Sequence, residues 1–229
     1  MGHDAGYIIV DTEGTGLFRY KNEDGTTRAS DAPGQPRMAA FAAVLADRNL
    51  KLEEQYSTYI QPNGWQNEDG SPMLEMPPEA FAIHGLSMDF LRTHGIPAVS
   101  ALSIYTKAIH EGRAVLGFNQ QHDGRQIRAE IRRCGLDDMF ERTPTVCAMR
   151  SLQAAKIKIK KLNGKGGYPR LIDAAAHFGI EYPEDVHHDA LHDALICHEI
   201  SFRLNELGVL LPAEVHYAKD YQGQKEQVA

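Results

Sequence analysis

The sequence predicts an α/β domain with a mixed sheet, and two observations carry that prediction. Three β-prone runs follow one another at residues 7–10, 38–45 and 55–60. After them, strand-like and helix-like stretches alternate, the order expected of a sheet with helices packed on it. The first run is β-branched and aromatic, and it stops at Asp11 ahead of Gly14 and Gly16, as a buried strand does on meeting a turn. The turn-prone Asp47-Arg48-Asn49 joins the second run to the third. Residues 114–118 and 145–149 supply a fourth and a fifth strand. Helices are expected over 78–84, opened by Pro78, and over 97–111, with Val99, Leu102, Ile104, Tyr105 and Ile109 as its apolar contacts. Further helices are expected over 124–134, where Ile127 and Ile131 stand four apart, and over 171–178 and 190–207. Residues 17–37 and 62–77 read as long polar loops, the first of them mobile. One domain therefore spans 1–211, and a polar tail, 212–229, frays from it.

Composition narrows the setting. At 229 residues the chain can bury a core that needs no cross-links. Cys134, Cys147 and Cys197 are odd in number, far apart and without metal-ligand spacing, which reads as free thiols in a reducing compartment. No apolar run is long enough to cross a membrane, and residues 1–6 lack the basic-then-apolar order of a secretory signal. The expected location is the cytoplasm. The formal charge is −7, from 31 acidic against 24 basic residues. This argues against a protein that coats duplexes by neutralising phosphates. It leaves room for an enzyme whose carboxylates bind cations, since the ions restore local attraction for phosphate.

Three segments carry candidate chemistry. In Asp11-Thr12-Glu13, residues two apart on a strand point to the same side, so two carboxylates meet at the sheet's C-terminal edge. Such a pair is either a solvated strand end or a site for a hard cation such as Mg²⁺ or Mn²⁺. In Gly117-Phe118-Asn119-Gln120-Gln121-His122-Asp123, a strand runs into a helix start, where Asp123 either caps the helix or joins the first pair. In His187-His188-Asp189-Ala190-Leu191-His192-Asp193, a histidine precedes a helix that carries an aspartate. No cysteine accompanies these histidines, which argues against structural zinc.

Together the three segments resemble the DEDDh, or DnaQ-like, family of 3′–5′ exonucleases, which includes the proofreading subunit of bacterial DNA polymerase III. Asp11-Thr12-Glu13-Gly14-Thr15-Gly16 is similar to the first family motif, Asn119 with Asp123 to the second, and His188 with Asp193 to the third. His84-Gly85, followed by Phe90-Leu91, looks like the family's His-Gly segment. Gly14 stands where Thr is common and His122 where an aromatic is frequent. His188, not the adjacent His187, keeps the family spacing to Asp193. The resemblance implies a ribonuclease-H-like fold, a mixed five-stranded sheet flanked by helices. It also implies that Asp11, Glu13, Asp123 and Asp193 hold two divalent ions, Mg²⁺ or Mn²⁺, with His188 as general base. Thr12, Gly14, Thr15, His84 and Asn119 become the candidates for holding the 3′-terminal nucleotide. Tyr20 and Trp65, both in the long loops, are aromatic groups that could stack bases.

The implied reaction is hydrolysis of the last phosphodiester of a strand, with release of 5′-mononucleotides. Single-stranded DNA comes ahead of RNA, because the His-Gly segment is most similar to that of the DNA-proofreading branch. Roles in DNA repair and proofreading follow as expectations, and neither a polymerase partner nor a homodimer can be read from the residues. Two other readings compete. Asp11-Thr12-Glu13-Gly14-Thr15 also looks like the start of a haloacid-dehalogenase-type phosphatase, with Asp11 as nucleophile, but that leaves Asp123, His188 and Asp193 without a purpose. A nuclease-fold adaptor with no activity would not need the five residues intact.

Overall fold

The structure is a computed structural model, and it describes residues 5–161, 167–182 and 188–215. At its centre lies β1 (Tyr7–Gly14). It pairs antiparallel with β2 (Met38–Ala46) and parallel with β4 (Ala114–Gly117). Antiparallel β3 (Leu52–Tyr59) and parallel β5 (Thr145–Cys147) complete a mixed five-stranded sheet of order β3-β2-β1-β4-β5. Every residue of β2 is buried, because both faces of the sheet are covered there, and the strand accordingly reads as a continuous apolar run. The outer strand β3 is mostly exposed and carries Glu53 and Glu54, charges that discourage edge-to-edge pairing.

The helices divide between the two faces. On one face are α1 (Pro78–His84), α2 (Met88–His94), α3 (Ala98–Ala101), α4 (Ser103–His110) and α5 (Gln120–Arg133). On the other are α6 (Ala148–Ala154), α7 (Leu171–His177) and α8 (Ala190–Glu206). The alternation of β1 separates the two cores. Ile8 and Val10 pack with Leu91, Tyr105 and Ile127, whereas Tyr7 and Ile9 pack with Leu152, Ala194 and Ile200. Extended by the same period of two, the strand turns Asp11 and Glu13 toward α8 and Thr12 toward α5.

Several expectations are modified. The strand expected to end at Asp11 continues to Gly14, so the acidic motif is itself paired with β2, with a register shift between Glu13 and Gly14. Helix α2 was not anticipated; Ser87 caps it, its hydroxyl accepting from Phe90 N at 3.1 Å. The helix expected over 97–111 divides at Leu102, where the Ser103 hydroxyl donates to the Ser100 carbonyl at 2.7 Å. The fifth strand ends at Cys147, since the following segment, rich in Ala, Leu, Met and Gln, favours helix.

The polar segment 17–37, expected to be a mobile loop, carries several long-range hydrogen bonds and ion pairs. Buried Gln35 bonds the Arg19 backbone in both directions, Arg19 and Arg28 reach Glu68 in the second loop, and Arg133 donates to the Ser30 carbonyl. Such long-range polar bonding does not register in composition. Beyond residue 211, Glu214 exchanges both backbone hydrogen bonds with Thr145, so the chain stays attached to the sheet edge past the boundary drawn from sequence.

Candidate active site

Asp11, Glu13, Asp123 and Asp193 converge at the C-terminal end of β1. Asp11 is half-buried, and the other three are buried. Asp123 lies in the first turn of α5 but does not cap it. Its Oδ1 accepts from the Thr12 backbone N–H at 3.1 Å and from the Thr12 hydroxyl at 2.9 Å, across 111 residues of chain. The capping alternative for Asp123 therefore fails, and Thr12 becomes the residue that fixes its rotamer. The helix cap expected of an aspartate is found instead at Asp189, which accepts from His192 N at 2.9 Å and starts α8. One turn later, Asp193 points back into the cluster.

Both oxygens of Asp193 are engaged. Oδ1 accepts from the Tyr182 hydroxyl at 2.7 Å, and Oδ2 lies 3.0 Å from His188 Nδ1. An ionised carboxylate only accepts, so the proton of that bond sits on Nδ1 and Nε2 is the basic ring atom. The His188 side chain remains about half exposed, at 54%. Its neighbour His187 lies outside the described residues. Donor atoms of Glu13, His188 and Asp193 all fall within 4.8 Å of one another.

The electrostatics are those of a site built for a cation. Among the described residues, no lysine or arginine pairs with any of the four carboxylates. Burial, followed by the charges of Asp123, Asp193 and Glu13, pushes Asp11 well above the usual carboxylate range. Burial also raises Glu13 to about 8, against the opposing pull of His188, and raises Asp123 to about 6. The hydrogen bond to Asp193 raises His188, and burial together with that same carboxylate raises Tyr182. Groups held so far from their preferred charge state relax when a divalent ion joins them, and hard oxygen donors suit Mg²⁺ or Mn²⁺. The residues present thus fit the implied metal.

The candidate substrate residues fall into two groups. Gly14 and Thr15 shape the turn: a Cβ on Gly14 would stand 2.5 Å from Nε2 of buried Gln126, and Thr15 exchanges hydrogen bonds with the Arg37 backbone through its N–H and its hydroxyl. His84 is likewise buried, its Nδ1 accepting from Leu86 N at 3.0 Å at the end of α1, whose Ile83 carbonyl accepts from His188 N. Asn119 is exposed and stands at the head of α5, beside Leu17 and Tyr20. Of the two loop aromatics, Trp65 is 2% exposed and packs in the core under Arg37, so it is not available to stack a base. Tyr20 is open to solvent. The residue that sequence reasoning missed is Tyr182, for no spacing rule connects a loop tyrosine to an aspartate on the next helix.

The chain and its fold have known counterparts. The exonuclease family model RNase_T matches residues 8–201. No curated protein sequence matches the chain. Among solved structures, E. coli exonuclease I in complex with a 5cy-dA13 oligonucleotide aligns with a TM-score of 0.64 at 20% identity, over 87% of this chain and 40% of that one. A moderately thermophilic exonuclease I from Methylocaldum szegediense aligns with a TM-score of 0.63 at 22% identity, again over 87% and 40%. The zinc-bound form of the E. coli exonuclease I–single-stranded DNA complex gives 0.64 at 19%, with the same coverage. The chain thus spans about two fifths of these exonucleases, and at such identities they speak for a shared ribonuclease-H-like fold. The sequence model reaches further: it covers most of the chain, including every motif residue from Asp11 to Asp193, and places this protein in the RNase_T exonuclease family, the DEDDh group.

Proposed function

We propose that the protein is a divalent-metal-dependent 3′–5′ exonuclease that releases 5′-mononucleotides from the end of a single strand, DNA in preference to RNA. The observation that carries this reading is the convergence of Asp11, Glu13, Asp123 and Asp193, which among the described residues pair with no lysine or arginine and are faced only by the imidazoles of His122 and His188. These carboxylates would hold two ions, Mg²⁺ or Mn²⁺, which when bound supply charge neutralisation of the phosphodiester and acidify water. Thr12 keeps Asp123 turned into the cluster, and Tyr182 does the same for Asp193. With Nδ1 committed to Asp193, His188 takes the proton of the attacking water at Nε2. Gly14 and Thr15 hold the turn beside the terminal nucleotide, while His84 and Asn119 border it. Family membership supports the exonuclease chemistry, and the single-stranded DNA in the complexes of the structural neighbours supports the choice of strand.

The test is a gel assay of 5′-labelled DNA and RNA strands with Mn²⁺ or EDTA. Stepwise shortening from the 3′ end is expected with metal only. His188→Ala is expected to lose about 100-fold or more in turnover while Mn²⁺ binding, followed by calorimetry, persists. Full activity in that variant would remove His188 from its role. Absence of metal-dependent shortening of either strand would overturn the exonuclease reading, and faster loss of the RNA strand would make the enzyme an exoribonuclease.

A further inference from the structure

Helix α5 carries four arginines, and three of them are paired: Arg128 and Arg132 with Asp138, and Arg133 with Glu130. Arg125, two residues beyond Asp123, has neither a carboxylate nor a hydrogen-bond acceptor among the described residues, although it is half-buried. Its guanidinium lies over the Tyr20 ring, 4.2 Å from the centroid, and 5.9 Å from that of Phe18. The contact joins the loop that follows Glu13 to the helix that carries Asp123. Between them opens a cleft of about 220 Å³, walled by Leu17, Phe18 and Tyr20 on one side and by Asn119, His122 and Arg125 on the other. Leu17 is 82% exposed and Tyr20 61%, although the neighbouring Phe18 is buried.

We infer that this cleft is a nucleotide subsite of the proposed exonuclease, in which Tyr20 stacks a nucleobase and Arg125 contacts the adjoining phosphodiester. The inference rests on the exonuclease reading and adds to it the residues that grip the strand. An aromatic ring with one face backed by a guanidinium keeps a sequence-tolerant surface for any base. The guanidinium brings a planar set of N–H donors that matches phosphate and for which the described residues supply no hydrogen-bond acceptor. In a chain of net charge −7, a cation that pairs with no carboxylate among the described residues, on the helix that carries Asp123, provides local attraction for a strand that the overall charge does not.

The experiment walks a single abasic residue through the last three positions of an oligo-dT strand, using the full chain with Mn²⁺. Wild type is expected to show a rise of about tenfold in KM at one of the three positions. Tyr20→Ala should show that rise with the intact strand, with a smaller change in kcat, and gain no further penalty from the abasic site. Tyr20→Phe, which keeps the ring, should behave as wild type. Arg125→Gln should weaken binding of the intact strand and flatten its dependence on salt. An abasic penalty that persists in Tyr20→Ala, or is absent from wild type, would overturn the inference while leaving the 3′-shortening intact. If wild type shows no shortening at all, the exonuclease reading falls instead. Anisotropy of labelled oligo-dT in EDTA then reads the cleft alone, and equal affinity of wild type and Tyr20→Ala would overturn it.

Discussion

Helix α5 contributes a buried acid to each of two surroundings, Glu130 to one and Asp123 to the other, and they are treated in opposite ways. Glu130 on α5 is fully buried, and its carboxylate takes Arg37 and Arg133 together with the Met38 backbone N–H. The cluster at Asp11, Glu13, Asp123 and Asp193 is supplied with hydroxyls, a backbone amide and a histidine, but no arginine. A carboxylate paired within the protein is part of the framework, and Glu130 holds the 17–37 loop against α5. Carboxylates gathered without a lysine or arginine to balance them are destabilised in the apo-protein and keep their capacity for a cation from solution. Burial alone does not distinguish the two; the supply of counter-charge does.

That contrast can be broken from either side, beginning with the largest effect. Glu130→Ala leaves two arginines without their carboxylate and is expected to cost about 3–5 kcal/mol in chemical denaturation. Its turnover per folded molecule should change little. Asp193→Asn should do the reverse. A loss of about 10² to 10³ in turnover is expected, with thermal stability of the metal-free protein unchanged or improved, since one repelling charge is gone. A large fall in stability on Asp193→Asn would show that the cluster is framework too.

A smaller effect is expected from Tyr182→Phe, which keeps the ring against His192 but removes the hydroxyl that orients Asp193. Loss of an outer partner of a metal ligand costs about 10- to 100-fold in metal affinity or activity. The Mn²⁺ concentration needed for half-maximal rate should rise by that order, and an unchanged Mn²⁺ response would assign Tyr182 to packing alone.

The mildest effect concerns pH. Glu13 is raised to about 8 in the folded chain and Asp123 to about 6, both above their unfolded values. Between the unfolded and folded values the native state binds more protons, so stability falls as pH rises. The metal-free protein should therefore melt at progressively lower temperature from about pH 4.5 to about pH 8, and saturating Mg²⁺ or Mn²⁺ should reduce that slope. A melting temperature in EDTA that climbs over this window would contradict the repulsion assigned to the cluster.

Much of the architecture was legible in advance because local chemistry dictates it. The apolar runs at 7–10 and 38–45 are bounded by turn residues, and Ile127 and Ile131 stand four apart, so two strands and a helix were expected where β1, β2 and α5 lie, although α5 begins four residues ahead of the expected 124. Helix α2 escaped because it is only seven residues long, and its Ser87 cap looks like any loop serine until Phe90 N is found on its hydroxyl. The tethering of 17–37 escaped because its anchors, Glu68, Arg132 and Arg133, are remote in the chain.

The amino-acid sequence by itself determined which groups could do chemistry. The order and spacing of Asp11, Glu13, Asp123, His188 and Asp193 depend on strand and helix periods, which are local properties. Only the tertiary structure decided what those groups do to one another. Thr12 meets Asp123 from 111 residues away, Tyr182 reaches Asp193 from a loop, and Trp65 is withdrawn into the core while Tyr20 stays out on Arg125. Each of these contacts is set by how β1, α5 and α8 pack, and the charge state of a buried carboxylate follows from its neighbours in space.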